Sequence, residues 1–265
     1  MTAHPAPVLL AVAHGTREAA GLAEIRRLVE RVRQARPDLD VRLCWLELAE
    51  PLLADALAGC SGPVVVVPLL LSTGYHVKTD IAAAVAGRPQ TAVAAQLGPD
   101  PRIAVALLDR LREVAGNPPQ AANPPQTANP PQTASLPQAD TSPPEADGPR
   151  GTTGEPPPAG IALFGAGSSD PEAAENLAEA ARQLERLAGC PIHPRFLTDL
   201  NWRDGLPPDV AVASYLLAPG FFADRLAGIA RAELGLNRVA APLGAHPAVV
   251  EVVLDRYAEA ARLAT

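Results

Sequence analysis

The chain is expected to fold as an α/β protein of two tandem lobes, each a four-stranded parallel sheet flanked by helices. Three observations predict this. Short apolar, strand-like runs alternate with segments whose apolar residues recur at helical spacing. Several motifs recur later in the chain at a constant offset. A proline-rich stretch separates the two sets.

Val8 to Ala13 reads as the first strand. Glu18 to Ala35 carries apolar residues at helical spacing, with Arg and Glu on the other face. Val41 to Leu46 reads as a second strand, and Pro51 to Ala58 as a short helix begun by proline in its first turn. Val64 to Leu70 is an unbroken apolar run, which suits a strand covered on both faces. Thr79 to Ala86 is expected to be helical, Thr91 to Gln96 a fourth strand and Pro101 to Ala115 a closing helix. The order βαβαβαβα implies a parallel sheet with right-handed crossovers.

A break follows. Asn117-Pro118-Pro119-Gln120 recurs at Asn123 and at Asn129, a six-residue period. Proline at this density removes backbone donors and blocks helix and sheet, and little apolar surface is present to offset ordering. The chain is therefore divided into a first lobe at 1–115, a disordered, extended linker at 116–159 and a second lobe at 160–265. The two flanks align without gaps over several motifs. Leu70-Leu71-Ser72-Thr73-Gly74-Tyr75-His76 matches Leu216-Leu217-Ala218-Pro219-Gly220-Phe221-Phe222, and Leu97-Gly98 matches Leu243-Gly244, both at an offset of 146. Ala13-His14-Gly15-Thr16 matches Gly165-Ala166-Gly167-Ser168 at an offset of 152. The glycines of this last segment lack the full dinucleotide-binding spacing, so no nucleotide is expected.

Composition narrows the function. The net charge of −7 and the absence of any Lys/Arg cluster argue against nucleic acid as a partner. Aromatic residues are only 3%, so Ala, Leu and Val must build the core. Cys44, Cys60 and Cys190 show no CxxC spacing and read as structural thiols in a reducing cytoplasm. The N-terminal residues have no basic, apolar signal pattern, and the Val64–Leu71 run is too short to span a bilayer, so no membrane role is expected.

The chain has five histidines, and two stand just past strand-like runs. His14 ends the first strand and His76 follows the third; Glu47 ends the second. In a parallel sheet these positions share one carboxyl edge, where ligands bind. Two imidazoles and a carboxylate make an open site for Fe2+, Co2+, Ni2+ or Zn2+. Each residue also has a plain alternative: a strand-end histidine bonded to backbone, or a helix-entry glutamate. The second copy has Ala166 and Phe222 where the first has His14 and His76. Its fold signals persist without the imidazoles, so the fold does not require them. His4, His193 and His246 are expected to be inert.

In their order, His14-Gly15-Thr16-Arg17, Trp45-Leu46-Glu47 with Glu50-Pro51, and Pro68-Leu69-Leu70-Leu71 leading to His76-Val77-Lys78-Thr79-Asp80 resemble the sirohydrochlorin chelatases of the CbiX/SirB type, in the class II chelatase family. The resemblance covers both copies; Thr16 replaces the family's usual serine. It implies a lyase that inserts a divalent metal into sirohydrochlorin, without ATP, in a cleft between two chelatase-like lobes. His14 and His76 would bind the metal and act catalytically, with Glu47 as a third contact. Fe2+ is favoured, or Co2+, with Ni2+ a further candidate, in sirohaem or cobalamin biosynthesis. Sirohydrochlorin bears a rim of carboxylates, which Arg17 and Lys78, with Thr16, could hold, while Phe221 and Phe222 face the flat ring. Fusion of the lobes is compatible with a monomer. The rival reading is a non-catalytic metal carrier or sensor using the same histidine pair. A protoporphyrin ferrochelatase fits less well, because that more apolar substrate calls for more aromatics.

Overall fold

Strand side chains alternate between two apolar environments, and this alternation organises the molecule. Leu9, Ala11, Val65, Val67, Leu163, Ala213 and Tyr215 all enter one continuous core that joins both lobes. Their neighbours Leu10, Val12, Val64 and Val66 enter a separate cluster on the outer face of the first sheet. Ala162, Phe164, Val210 and Val212 do the same on the second. Both sheets are thus covered on both faces, which is why their strands lack polar alternation. The computed structural model describes residues 6–72, 76–115, 159–168, 170–235 and 239–263, with only the backbone of 76–78 and 263. The expected linker at 116–159 therefore lies, but for its last residue, outside the described residues.

The first lobe runs β1 (Val8–Ala13), α1 (Ala19–Ala35), β2 (Val41–Trp45), α2 (Leu53–Ala58), β3 (Val64–Pro68), a π-helical turn (His76–Ile81) continuing as α3 (Ala82–Val85), β4 (Thr91–Val93) and α4 (Pro101–Ala115). The second runs β5 (Gly160–Gly165), α5 (Pro171–Ala188), β6 (Ile192–Phe196), β7 (Val210–Tyr215), α6 (Phe221–Glu233) and α7 (Pro247–Leu263). All pairings between these strands are parallel, in the orders β2-β1-β3-β4 and β6-β5-β7.

Several expectations need correction. The third strand ends at Pro68 rather than Leu70. The short helix starts at Leu53, not Pro51, because the Pro51 carbonyl accepts from Trp45 N (3.0 Å) and Leu52 bridges Trp45. The third helix begins earlier, at His76, through a π-helical turn. The fourth strand stops at Val93, because beyond Ala94 the chain turns to the lobe boundary, where Gln96 O accepts from Arg256 Nε at 3.0 Å. In place of the expected fourth strand of lobe two, Val239 makes one parallel bridge to Val212, the counterpart of Val93 beside Val66. Residues 237–238 lie outside the described residues.

The duplication is visible in individual hydrogen bonds. Ala94 N to Val66 O (2.8 Å) is matched by Ala240 N to Val212 O (2.9 Å), and Leu97 N to Leu70 O (2.8 Å) by Leu243 N to Leu216 O (2.9 Å). The lobes also bind each other. The buried Tyr215 hydroxyl donates to Leu71 O at 3.1 Å, and Glu24 Oε1 accepts from Ala245 N at 2.7 Å.

Candidate metal site at the carboxyl edge

Strand order places the site. Chain crossover from β2 to β3 passes over β1, so the crevice opens outside the carboxyl ends of β1 and β3. His14 directly follows β1 and His76 opens the turn after β3. The β1–β2 ladder continues past both strands: Leu46 N donates to Ala13 O (2.9 Å) and Glu47 N to His14 O (3.0 Å). These bonds hold the backbones of His14 and Glu47 side by side.

The side chains then meet. His14 Nδ1 lies 3.3 Å from Glu47 Oε1, and both groups are about half exposed, at 43% and 48%. A carboxylate against one ring nitrogen fixes the orientation of an imidazole. Gly15 makes the approach feasible. Its φ is +100°, and a Cβ there would stand 1.8 Å from Glu47 O. Any side chain would push Glu47 away.

Of the remaining expected site residues, Thr16 uses its hydroxyl to accept from Glu18 N at 3.1 Å. Ser168 repeats that bond to Asp170 N at 3.1 Å in lobe two, so this turn belongs to the fold in both copies. Arg17 is exposed at the same edge. The side chains of His76 and Lys78 lie outside the described residues. Phe221 and Phe222 are not core: they are 65% and 37% exposed and pack edge to face, with centroids 5.3 Å apart. The loop that leads into them, at the start of α6, sits against lobe one, since a Cβ at Gly21 would stand 2.5 Å from Pro219 O, and one at Gly220 3.7 Å from Thr16 Oγ1. Among the described residues no group of three or more His, Cys, Asp or Glu side chains gathers, so the described part of the site is the His14–Glu47 pair.

The second copy lacks more than its imidazoles. β6 aligns with β2 through Ile161↔Ile192 and Leu9↔Val41, which puts Thr198 where Glu47 stands. Thr198 Oγ1 would lie 2.2 Å from a Cβ on Gly167, the counterpart of Gly15. Sequence reading missed this replacement. The signal was Phe196-Leu197-Thr198 against Trp45-Leu46-Glu47, obscured by an offset one residue short of that for β1.

The other candidates fall outside the edge. His246 Nδ1 accepts from Ala248 N at 3.2 Å, and its Nε2 lies 3.5 Å from Asp109 Oδ2. Burial, followed by Arg110, pushes its pKa below the usual histidine value. The His193 Nε2 is buried beside Gly160. Cys44 is fully buried, and burial pushes its thiol up to about 12, so it is no thiolate ligand at neutral pH. No helix among the described residues is long and apolar enough to cross a membrane.

Comparison with known proteins covers the same two segments. The family model described as CbiX matches residues 8–114 and 160–260. A sirohydrochlorin cobaltochelatase of Methanosarcina acetivorans is 30% identical over 77 residues, 28% of this chain and 59% of that protein. The chain thus spans 59% of the length of that relative. SirB of Bacillus subtilis subspecies spizizenii, solved with cobalt, is similar over 97% of this chain and 96% of its own, at 20% identity and a TM-score of 0.68. SirB of Bacillus subtilis with Fe3+ gives 21% identity and a TM-score of 0.69 over the same shares. At such identities the likeness is one of fold.

Proposed function

Because this chain belongs to the CbiX family, whose model spans both of its lobes, we propose that it inserts a divalent metal, Fe2+ or Co2+, into sirohydrochlorin without ATP. The observation that carries this reading is the His14–Glu47 pair at 3.3 Å on the carboxyl edge, with no counterpart in lobe two. His14 and His76 hold the incoming metal; Glu47 orients the His14 ring and stands close enough to become a third contact. As the macrocycle nitrogens take the metal, each imidazole it leaves is free to accept a pyrrole proton. Two pyrrole N–H bonds break, two protons depart, and the metal remains divalent, so no electron transfer is required. Few protein ligands suffice, because the ring must replace them. Arg17 and Lys78 hold the carboxylate rim, while Phe221 and Phe222 lie against the ring.

The test is incubation of purified protein with sirohydrochlorin and each metal, following the macrocycle absorption. Insertion above the uncatalysed rate is expected, and the metal with the highest kcat/KM identifies the product. His14→Ala is expected to lose most of that rate while the fold survives. Full activity in a His14→Ala, His76→Ala double variant would refute the assignment. Metal binding without insertion would instead make the protein a carrier.

A further inference from the structure

Leu48 has a strained backbone. Its φ is +62°, and it is the one non-glycine residue with positive φ among the described residues. Ala49 N donates to Glu47 O at 2.8 Å, closing a three-residue γ-turn with Leu48 at its centre. A γ-branched side chain in this region is strained, because its Cβ crowds the backbone. Burial does not compensate, since Leu48 is 49% exposed.

Lobe two supplies the control. The register that pairs Glu47 with Thr198 pairs Leu48 with Asp199. Asp199 has no positive φ, and its N–H instead donates to Phe196 O at 3.1 Å. The chain thus leaves β6 without a positive φ in the copy that has Ala166 and Thr198 in place of His14 and Glu47, although no helix follows before β7 there. Strain that persists beside a site, on a side chain left half exposed, points to function. Leu48 directly follows Glu47, on the edge toward which the exposed Phe221 and Phe222 loop of the other lobe is packed.

We propose that Leu48 is a substrate contact, held out by the γ-turn so that its apolar side chain lies against the flat face of the tetrapyrrole. This rests on the chelatase reading and deepens it. An apolar-faced macrocycle with a charged rim needs cations at its edge and apolar groups over its plane. Leu48 from lobe one and the phenylalanine pair from lobe two supply the latter.

The experiment compares Leu48→Asn, Leu48→Gly and Leu48→Met with wild type, in metal-free sirohydrochlorin binding followed by fluorescence and in Co2+ titration without tetrapyrrole. Asn and Gly accept positive φ, so their Tm is expected to equal or exceed that of wild type. Their Kd for sirohydrochlorin is expected to rise about tenfold, with Co2+ affinity within about twofold of wild type. Met, which keeps an apolar side chain, is expected to bind nearly as wild type. A purely structural leucine predicts the opposite for Asn and Gly: a lower Tm and unchanged Kd. Wild type that binds while Leu48→Asn binds equally tightly overturns the Leu48 assignment alone. Wild type that fails to bind sirohydrochlorin overturns the chelatase reading and this proposal with it.

Discussion

Arg110 and Arg256 are one position in two copies, and each reaches across the lobe boundary to the same carbonyl of the other copy. Arg110 Nη2 donates to Leu243 O at 2.9 Å, and Arg256 Nη2 to Leu97 O at 3.5 Å. Reciprocal contacts of this kind are the mark of a two-fold interface. The surrounding charges have diverged. Arg256 also binds Asp100 Oδ2 at 3.1 Å, whereas the position equivalent to Asp100 is His246, 3.5 Å from Asp109.

Asp100 gives the boundary a pH dependence. Burial alone would raise its pKa, but hydrogen bonds from Arg102, with the charges of Arg102 and Arg256, outweigh it and hold the carboxyl below its usual value. A carboxylate lowered in the folded state contributes stability above its unfolded pKa, about 3.9, and that contribution is lost as pH falls through the lower folded value. Arg256→Ala is therefore expected to cost about 2 kcal/mol at pH 7, with Arg102 still partnering the buried acid. The difference from wild type should shrink in urea titrations as the pH falls from about 4 through the lower folded-state pKa of Asp100.

Gly15→Ala tests the packing that sets the His14–Glu47 pair. With φ at +100° and a Cβ 1.8 Å from Glu47 O, the backbone must move. Destabilisation of more than about 2 kcal/mol is expected, together with a loss of Co2+ affinity. Gly62→Ala, where a Cβ meets nothing within 4 Å, serves as the control and should leave both unchanged. Denaturation and metal titration on the two variants check this directly.

Metal stoichiometry tests which lobe is active. One high-affinity site per chain is expected, abolished by His76→Ala and unaffected by His246→Ala. Two equal sites, or one removed by changing His193 or His246, would mean that the active half is wrongly assigned. Calorimetric titration of the variants distinguishes these cases.

The Asn-Pro-Pro-Gln segment is proposed to act as a tether alone. Loop closure cost grows slowly with length. Replacing residues 117–157 with a shorter Gly/Ser linker is thus expected to leave turnover nearly unchanged, as a steady-state assay would show. A collapse in activity with folding intact would assign the segment a part in binding.

The sequence by itself determined the α/β alternation, the doubled unit and the placement of His14 and Glu47 at neighbouring strand ends. Those features are local: apolar periodicity marks each element, and a repeated motif needs no knowledge of packing. Boundaries failed where neighbouring strands intervened, as at Leu53, where Pro51 and Leu52 are held by Trp45. Tertiary structure decided what depends on register and long-range contact. Glu47 meets His14 only because the β1–β2 ladder runs past its strands, and Thr198 emerges as the counterpart of Glu47 only when that register is known. The shift between the copies is 152 residues at β1 (Val8 to Gly160) but 146 at β3 (Val64 to Val210). Side chains from distant segments, such as Tyr215 on Leu71 O and Arg256 on Asp100, are brought together by the shared core, which no local periodicity encodes.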